Sequence, residues 1–314
     1  MECEVLFEMK ALYRDDLRVT GFRFGQGEKA LAIVGAMRGN EFQQLLTCQR
    51  LMVRLQALEQ QGRLHGDRQI LVIPCVNPYS VNVKKRFWTI DNTDINRMFP
   101  GYSEGETTQR IAAGLFDTIS DYARGIQFAS FYMPGHFLPH IRVMKTGYED
   151  MQGAKAFGLP YVVLHTPRPF DTATLNYNWQ IWGTKAFSLY TTDTAQPDRA
   201  SAEQAVEAIL RYMALQGLAD CDFAAGEAST VVSTDEMVTL RSQASGFLEV
   251  MVAPGDAVHC GQTLAEITDP FLGGVKDTVT APVDGVVWFQ HSDPMIYEDT
   301  AVMKLIPNER RLLE

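Results

Sequence analysis

ALAIVGAM (residues 30–37), followed by Arg38-Gly39-Asn40-Glu41, is the stretch from which the fold can be read. Eight small or apolar residues without polar alternation describe a strand buried on both faces, as in a sheet covered by helices. From Asn40 the period changes. Phe42, Leu45, Leu46, Met52 and Val53 share one broad helical face, and Gly62 is placed to stop the helix. QILVIPCV (69–76) is a second buried strand, closed by Asn77-Pro78. Further out, helical spacing returns at 107–123, with Ile111, Leu115, Ile119 and Tyr122 on one side, and again around 173–182. Strand-like runs lie at 126–133, 161–165 and 186–191. A last helix is expected from Ser201, with Gln204 as the partner in a capping box, to Gly217. Strands alternating with helices predict an α/β fold: a mainly parallel or mixed sheet with helices on both faces.

The character changes after residue 225. From 229 to 307 short alternating strands are separated by Gly, Pro and Asp turns, with no helical period. SGFLEVMVAPGDAVHCGQTLAEI (245–267) is answered by DGVVWFQHSDPMIYEDTAVMKLI (284–306). Two such halves predict a small all-β domain of barrel-sandwich kind. The 314 residues therefore divide into an α/β domain, 1–225, and a C-terminal β domain, 226–314.

Lys and Arg number 28 against 38 Asp and Glu, a formal net charge of −10. That balance argues against nucleic acid and against an anionic membrane surface as partners. No run approaches the roughly 20 apolar residues that span a bilayer. MECEVLFEMKALYRDD (1–16) carries acidic residues where a leader would be basic and then apolar, so a cytoplasmic location is expected. The five cysteines are widely spaced and form no CxxC pair, which disfavours a disulfide framework or a thiolate zinc site. Cys48 and Cys75 sit in apolar stretches and read as small core residues.

Several polar segments follow strand-like runs in the first domain: Arg38-Gly39-Asn40-Glu41, Val76-Asn77-Pro78 and Tyr190-Thr191. In open α/β sheets ligands bind at the carboxyl ends of strands. Asp94-Ile95-Asn96-Arg97-Met98-Phe99-Pro100-Gly101, LPHIRV (138–143), AFGLP (156–160) and APGDAVHCGQTL (253–264) follow in order. Together these segments resemble the succinylglutamate desuccinylase/aspartoacylase family, zinc deacylases related to the carboxypeptidases, from about residue 18 to 307. The resemblance implies a carboxypeptidase-like fold. It also implies a zinc held by His and Glu of a His-x-x-Glu segment and by a second His, with a glutamate as general base.

This sequence departs from that pattern. Arg38 stands where the first zinc ligand is expected, and Glu41 alone remains of that pair. Ala129 falls in the segment where the second histidine is expected. Tyr190 takes the place of the general base. An arginine stays protonated and offers a metal no lone pair. The expectation is that Arg38 pairs with Glu41 at the former metal site. What the resemblance leaves is the part that grips substrate: Asn96 and Arg97 for a carboxylate, and Arg86 as a second guanidinium.

Two functions follow. The first is a non-catalytic family member without cofactor, binding a small carboxylate or N-acyl amino acid or serving as the partner subunit of an active paralogue, and forming an oligomer. The alternative is an active metal-dependent deacylase cleaving an N-acyl amino acid amide bond, with zinc on Glu41, His136 and His140. Pro134, Gly135 and Pro139 speak against the helix that would align those two histidines. His165 is the one other histidine expected near a ligand. The β domain also resembles biotinyl and lipoyl carrier modules. Lys276 lies off the position of a carrier lysine, which points to a structural or oligomerisation domain.

Overall fold

The computed structural model describes residues 1–308. An antiparallel pair, β1 (Glu2–Met9) and β2 (Leu17–Phe24), comes first. The chain continues through β3 (Glu28–Ala36), α1 (Phe42–Gln60), β4 (Arg68–Cys75), α2 (Pro78–Asn82), a 3-10 turn at Ile95–Arg97, α3 (Thr107–Ile119) and β5 (Arg124–Phe128). After β6 (Gly135–Phe137) come β7 (His140–Met144), α4 (Met151–Lys155), β8 (Tyr161–His165), α5 (Leu175–Ile181), β9 (Lys185–Tyr190), α6 (Arg199–Leu215) and β10 (Thr230–Ser233). The remaining strands are β11 (Val238–Arg241), β12 (Gly246–Val250), β13 (Ala257–Val258), β14 (Thr263–Thr268), β15 (Val275–Thr280), β16 (Gly285–His291), β17 (Met295–Ile296) and β18 (Ala301–Pro307).

The first compact unit comprises Met1–Ser130 and Pro139–Val231. Its nine-stranded sheet has the order β1-β2-β4-β3-β5-β9-β7-β8-β10. β4, β3, β5 and β9 run parallel, while β2 pairs antiparallel with β4 and β7 antiparallel with β9. The fold is thus mixed α/β. Alternate strand residues feed two apolar layers, as the two-residue repeat of a strand requires. Leu31, Ile33, Ile70 and Val72 join Leu51 and Leu55 of α1 and Val206 and Ile209 of α6. Ala32, Val34, Leu71 and Ile73 join Ile111 and Leu115 of α3 and Trp179 of α5. Burial on both faces is why these strands read as unbroken apolar runs. No helix among the described residues is long and apolar enough to cross a membrane.

Two sequence expectations are corrected here. Helix α6 starts before Ser201: Asp198 caps it, its carboxylate accepting from the backbone N–H groups of Ala200 and Ser201 at 3.0 and 3.2 Å. A carboxylate there answers both the unpaired donors and the helix dipole. The strand expected over 126–133 ends at Phe128. Residues 131–138 belong instead to the second unit, where β6 pairs antiparallel with β16. A single cut after residue 225 does not anticipate that excursion.

The second unit comprises Phe131–Leu138 and the chain from Val232 onward. It has two antiparallel sheets, β11-β18-β16-β13 with β6 added on β16, and β15-β14-β12-β17. The sequence echo has a structural counterpart. The first copy supplies β12, β13 and β14, and the second supplies β16, β17 and β18. β13 pairs with β16 of the other copy, and β17 pairs with β12. Each half is completed by a short strand from its twin, and Leu264, Ile267, Val287, Val302 and Leu305 share one core.

Candidate functional site

The site is built where the parallel strands of the first unit end. β3 delivers Met37 and Arg38, and Glu41 follows at the start of α1. β5 delivers Ala129 and Ser130, and β9 ends on Tyr190. Gly39 is required by close approach. A Cβ there would lie 2.2 Å from the backbone of Ser80 and 2.3 Å from the carbonyl oxygen of Lys85. The Gly39 N–H instead donates to the Arg86 carbonyl at 3.2 Å, which brings the 80–86 segment beside Arg38.

Arg38 is buried and lodged among three partners. Its Nε donates to Asp94 Oδ1 at 3.1 Å, and its Nη2 to Asp94 Oδ2 at 2.8 Å. Nη1 donates to Glu41 Oε1 at 3.0 Å and to Ser130 Oγ at 2.9 Å. The expected Arg38–Glu41 pair forms, and Asp94 and Ser130 extend it. Glu41 is fully buried. Its Oε2 accepts from the backbone N–H groups of Met37 and Arg38 at 2.8 and 3.0 Å, and its Oε1 also accepts from Ser130 Oγ at 2.5 Å. Burial opposes the guanidinium charge, but Glu41 and Asp94 outweigh it and hold Arg38 more firmly protonated than a free arginine.

The second cluster forms around Arg97. Asp94 accepts from the backbone N–H of Asn96 at 3.1 Å and so caps the 3-10 turn that carries Asn96 and Arg97. Arg97 Nη1 donates to the Phe170 carbonyl at 2.6 Å and to Asp171 Oδ1 at 3.2 Å, with its guanidinium 5.3 Å from the Phe170 ring centre. Asp171 Oδ2 meets His165 Nε2 at 2.9 Å and accepts from the backbone N–H of Arg168 at 3.0 Å. Burial alone would raise the Asp171 pKa. His165, that backbone N–H and Arg97 hold it well below the usual carboxylate range. Asn96 Oδ1 accepts from Gln127 Nε2 at 3.1 Å and from the backbone N–H of Leu175 at 3.3 Å. Arg86 is half-buried. Burial, with Arg38 beside it, lowers its pKa to about 10, against the pull of Glu41 and Asp94.

The rest of the motif is architectural. Phe99 is buried edge-on to Phe116, ring centres 6.2 Å apart. Gly101, at φ +97°, lies where a Cβ would come 2.1 Å from the Ala113 nitrogen, so the left-handed glycine seats the turn on α3. His140 and Tyr190 face each other across the β7–β9 pair and stack at 4.4 Å. Tyr190 is buried, and burial raises its phenol pKa although Arg142 and Arg38 partly offset this. Arg142 lies 5.1 Å from the Tyr190 ring centre. Burial pushes the Cys75 thiol up to about 12, and that of fully buried Cys48 higher still, which fits core residues rather than nucleophiles.

The groups at the position where the resemblance would place a metal do not fit zinc. Arg38 has no lone pair to offer, and both Glu41 oxygens already accept two hydrogen bonds each. Ala129 has no ligand atom in its side chain, and its N–H donates to the Leu189 carbonyl at 2.9 Å. Of the alternative ligands, His136 lies on β6 opposite Gln290 in the second unit, while His140 is in the first. Among the described residues, no group of three His, Cys, Asp or Glu side chains is arranged to hold a metal ion.

Sequence reasoning did not foresee Ser130, Asp171 or the role of Asp94. Asp94 lay inside the quoted motif, so its carboxylate was the one visible signal. Ser130 and Asp171 had none, because what gives them a role is pairing across the fold.

Comparison with known proteins bears on this geometry. Residues 27–126 match the model of the succinylglutamate desuccinylase/aspartoacylase catalytic domain. The chain is 28% identical over 290 residues to the N-alpha-acetyl-L-2,4-diaminobutyric acid deacetylase of Halomonas elongata, covering 86% of this chain and 79% of that protein. Among solved structures, a succinylglutamate desuccinylase from Silicibacter sp. TM1040 superposes with a TM-score of 0.81 at 18% identity, over 96% of this chain and 93% of the other. The product-bound ectoine utilization protein EutE (DoeB) of Ruegeria pomeroyi gives 0.79 at 18% identity, over 93% and 90%. These findings bear out the resemblance to the succinylglutamate desuccinylase/aspartoacylase family.

Proposed function

We propose that this chain, carrying the fold and catalytic-domain signature of that deacylase family, keeps the substrate-gripping part of the site and has replaced its metal with a fixed guanidinium. It binds a small carboxylate or N-acyl amino acid through Arg86, Asn96 and Arg97, or does so as the partner subunit of an active paralogue. The observation that carries the reading is Arg38, held between Glu41, Asp94 and Ser130. Planar guanidinium forks suit carboxylates by two parallel hydrogen bonds, and Arg97 already meets the Asp171 carboxylate through a single one at 3.2 Å. A ligand carboxylate would compete with Asp171 for Arg97 and would relieve the crowding of positive charge around Arg86. In this reading the protein is cytoplasmic, and its C-terminal unit is a structural barrel-sandwich-like domain rather than a carrier.

The relatives weigh toward a second reading, deacylase activity itself, because a deacetylase aligns with 86% of this chain. On that reading the chain cleaves the amide of an N-acyl amino acid. One experiment separates the two: metal analysis of untagged protein, joined to calorimetric titration with N-acetyl-L-2,4-diaminobutyrate and an assay for released acetate. The first reading expects heat of binding without turnover or stoichiometric zinc. Chelator-sensitive acetate release with about one zinc per chain would reject it and establish the second.

A further inference from the structure

The four-stranded sheet of the second unit carries an apolar row on its outer face. Register places Met295, Phe247, Thr268 and Val275 side by side across β17, β12, β14 and β15. Of these, Met295, Phe247 and Val275 are exposed at 51, 42 and 55%. The β14–β15 connection extends the row. There Phe271 and Leu272 are 93 and 89% exposed. Their exposure is built in: Asp269 Oδ1 accepts from the backbone N–H groups of both at 2.8 Å, and the Asp269 N–H donates to the Gly274 carbonyl at 2.8 Å. The loop is closed on itself and turns both side chains outward. Tyr297, which directly follows β17, is 82% exposed at the other end.

We infer that this face is the interface between two copies of the chain. Bare aromatic side chains offer about 150–250 Å² each, and these six residues together present on the order of 700 Å² of apolar surface. That exceeds the roughly 300–600 Å² of the largest patch on an ordinary monomer. It approaches the ~800 Å² per partner of a stable protein interface. The apolar area ends at Glu249 and Glu266, directly opposed on neighbouring strands two residues along, which supply the polar rim that such interfaces carry. A two-fold pairing sets the row against itself, which an isologous interface requires. The inference does not depend on the reading of the ligand site.

The test is sedimentation velocity of the full chain from about 1 to about 100 μM, a range that brackets micromolar association. A dimer is expected. The Phe271→Asp/Leu272→Asp double variant should weaken association by about thirtyfold or more, since the two most exposed apolar side chains of the face become charged. At a concentration where the wild type is dissociated, its melting midpoint should match the wild type's, because neither side chain is packed in the monomer. Leu12→Asp/Tyr13→Asp, a pair equally bare in the first unit, should leave the dimer intact. A wild-type chain that stays monomeric throughout, or a dimer that survives the double variant, overturns the inference.

Discussion

Arg38 and Arg97 sit in neighbouring clusters of the same site, yet the two clusters are built for different work. Arg38 is buried, bonded to two carboxylates and a hydroxyl, and each partner is itself held: Asp94 by Asn96, Glu41 by two backbone N–H groups. Arg97 is one-third exposed and shares a single carboxylate with a histidine. A charge sealed among opposite charges is costly to disturb and exchanges slowly with anything outside. A charge at the surface with one carboxylate partner can trade that partner for a ligand. The comparison teaches that the Arg38 cluster is held as a fixture, whereas the Arg97 cluster has the accessibility that the proposed anion binding needs.

The strongest test of that contrast is Arg38→Met. It leaves Glu41 buried without a counter-charge and should cost about 3–5 kcal/mol in urea unfolding. Adding Glu41→Gln should recover part of the loss; a mild effect of Arg38→Met alone would show that the cluster is not the fixture it looks. Arg97→Ala tests the other half. Removing one charge-assisted contact should weaken binding of an N-acyl amino acid by about ten- to a hundredfold, read by calorimetry, with the melting point little changed. Equal affinity in that variant would move the ligand away from Arg97.

Asp171 sharpens the comparison through pH. Its folded pKa is depressed, so the stability it contributes is present above the ordinary carboxylate pKa of about 3.9 and lost as pH falls below it. Acid unfolding of the wild type should therefore show a loss that begins near pH 4, and Asp171→Asn should lack that part of the profile. With Arg97 released, the same variant should bind a carboxylate ligand more tightly. The smallest effect is expected for Ser130→Ala, about 1 kcal/mol, because Glu41 keeps its two backbone donors and the Arg38 contact.

The sequence alone determined the α/β character and the Arg38–Glu41 pair. Both strand faces of 30–37 and 69–76 are buried, so their apolar runs announce themselves. Arg38 and Glu41 lie three residues apart, close enough for local geometry to join them. The β12–β14 and β16–β18 halves share a sequence echo because they share a fold. Other features had no local signature. Arg38 reaches Asp94 and Ser130 across 56 and 92 residues of chain, and Arg97 reaches Asp171 across 74. The sequence reads as strand over 126–133, and only the tertiary structure ends that strand at Phe128 and pairs Gly135–Phe137 with β16. The physical reason is common to all of these. Hydrophobic period and capping act between near neighbours, whereas a buried ion network and a strand's choice of sheet are fixed only when distant segments meet.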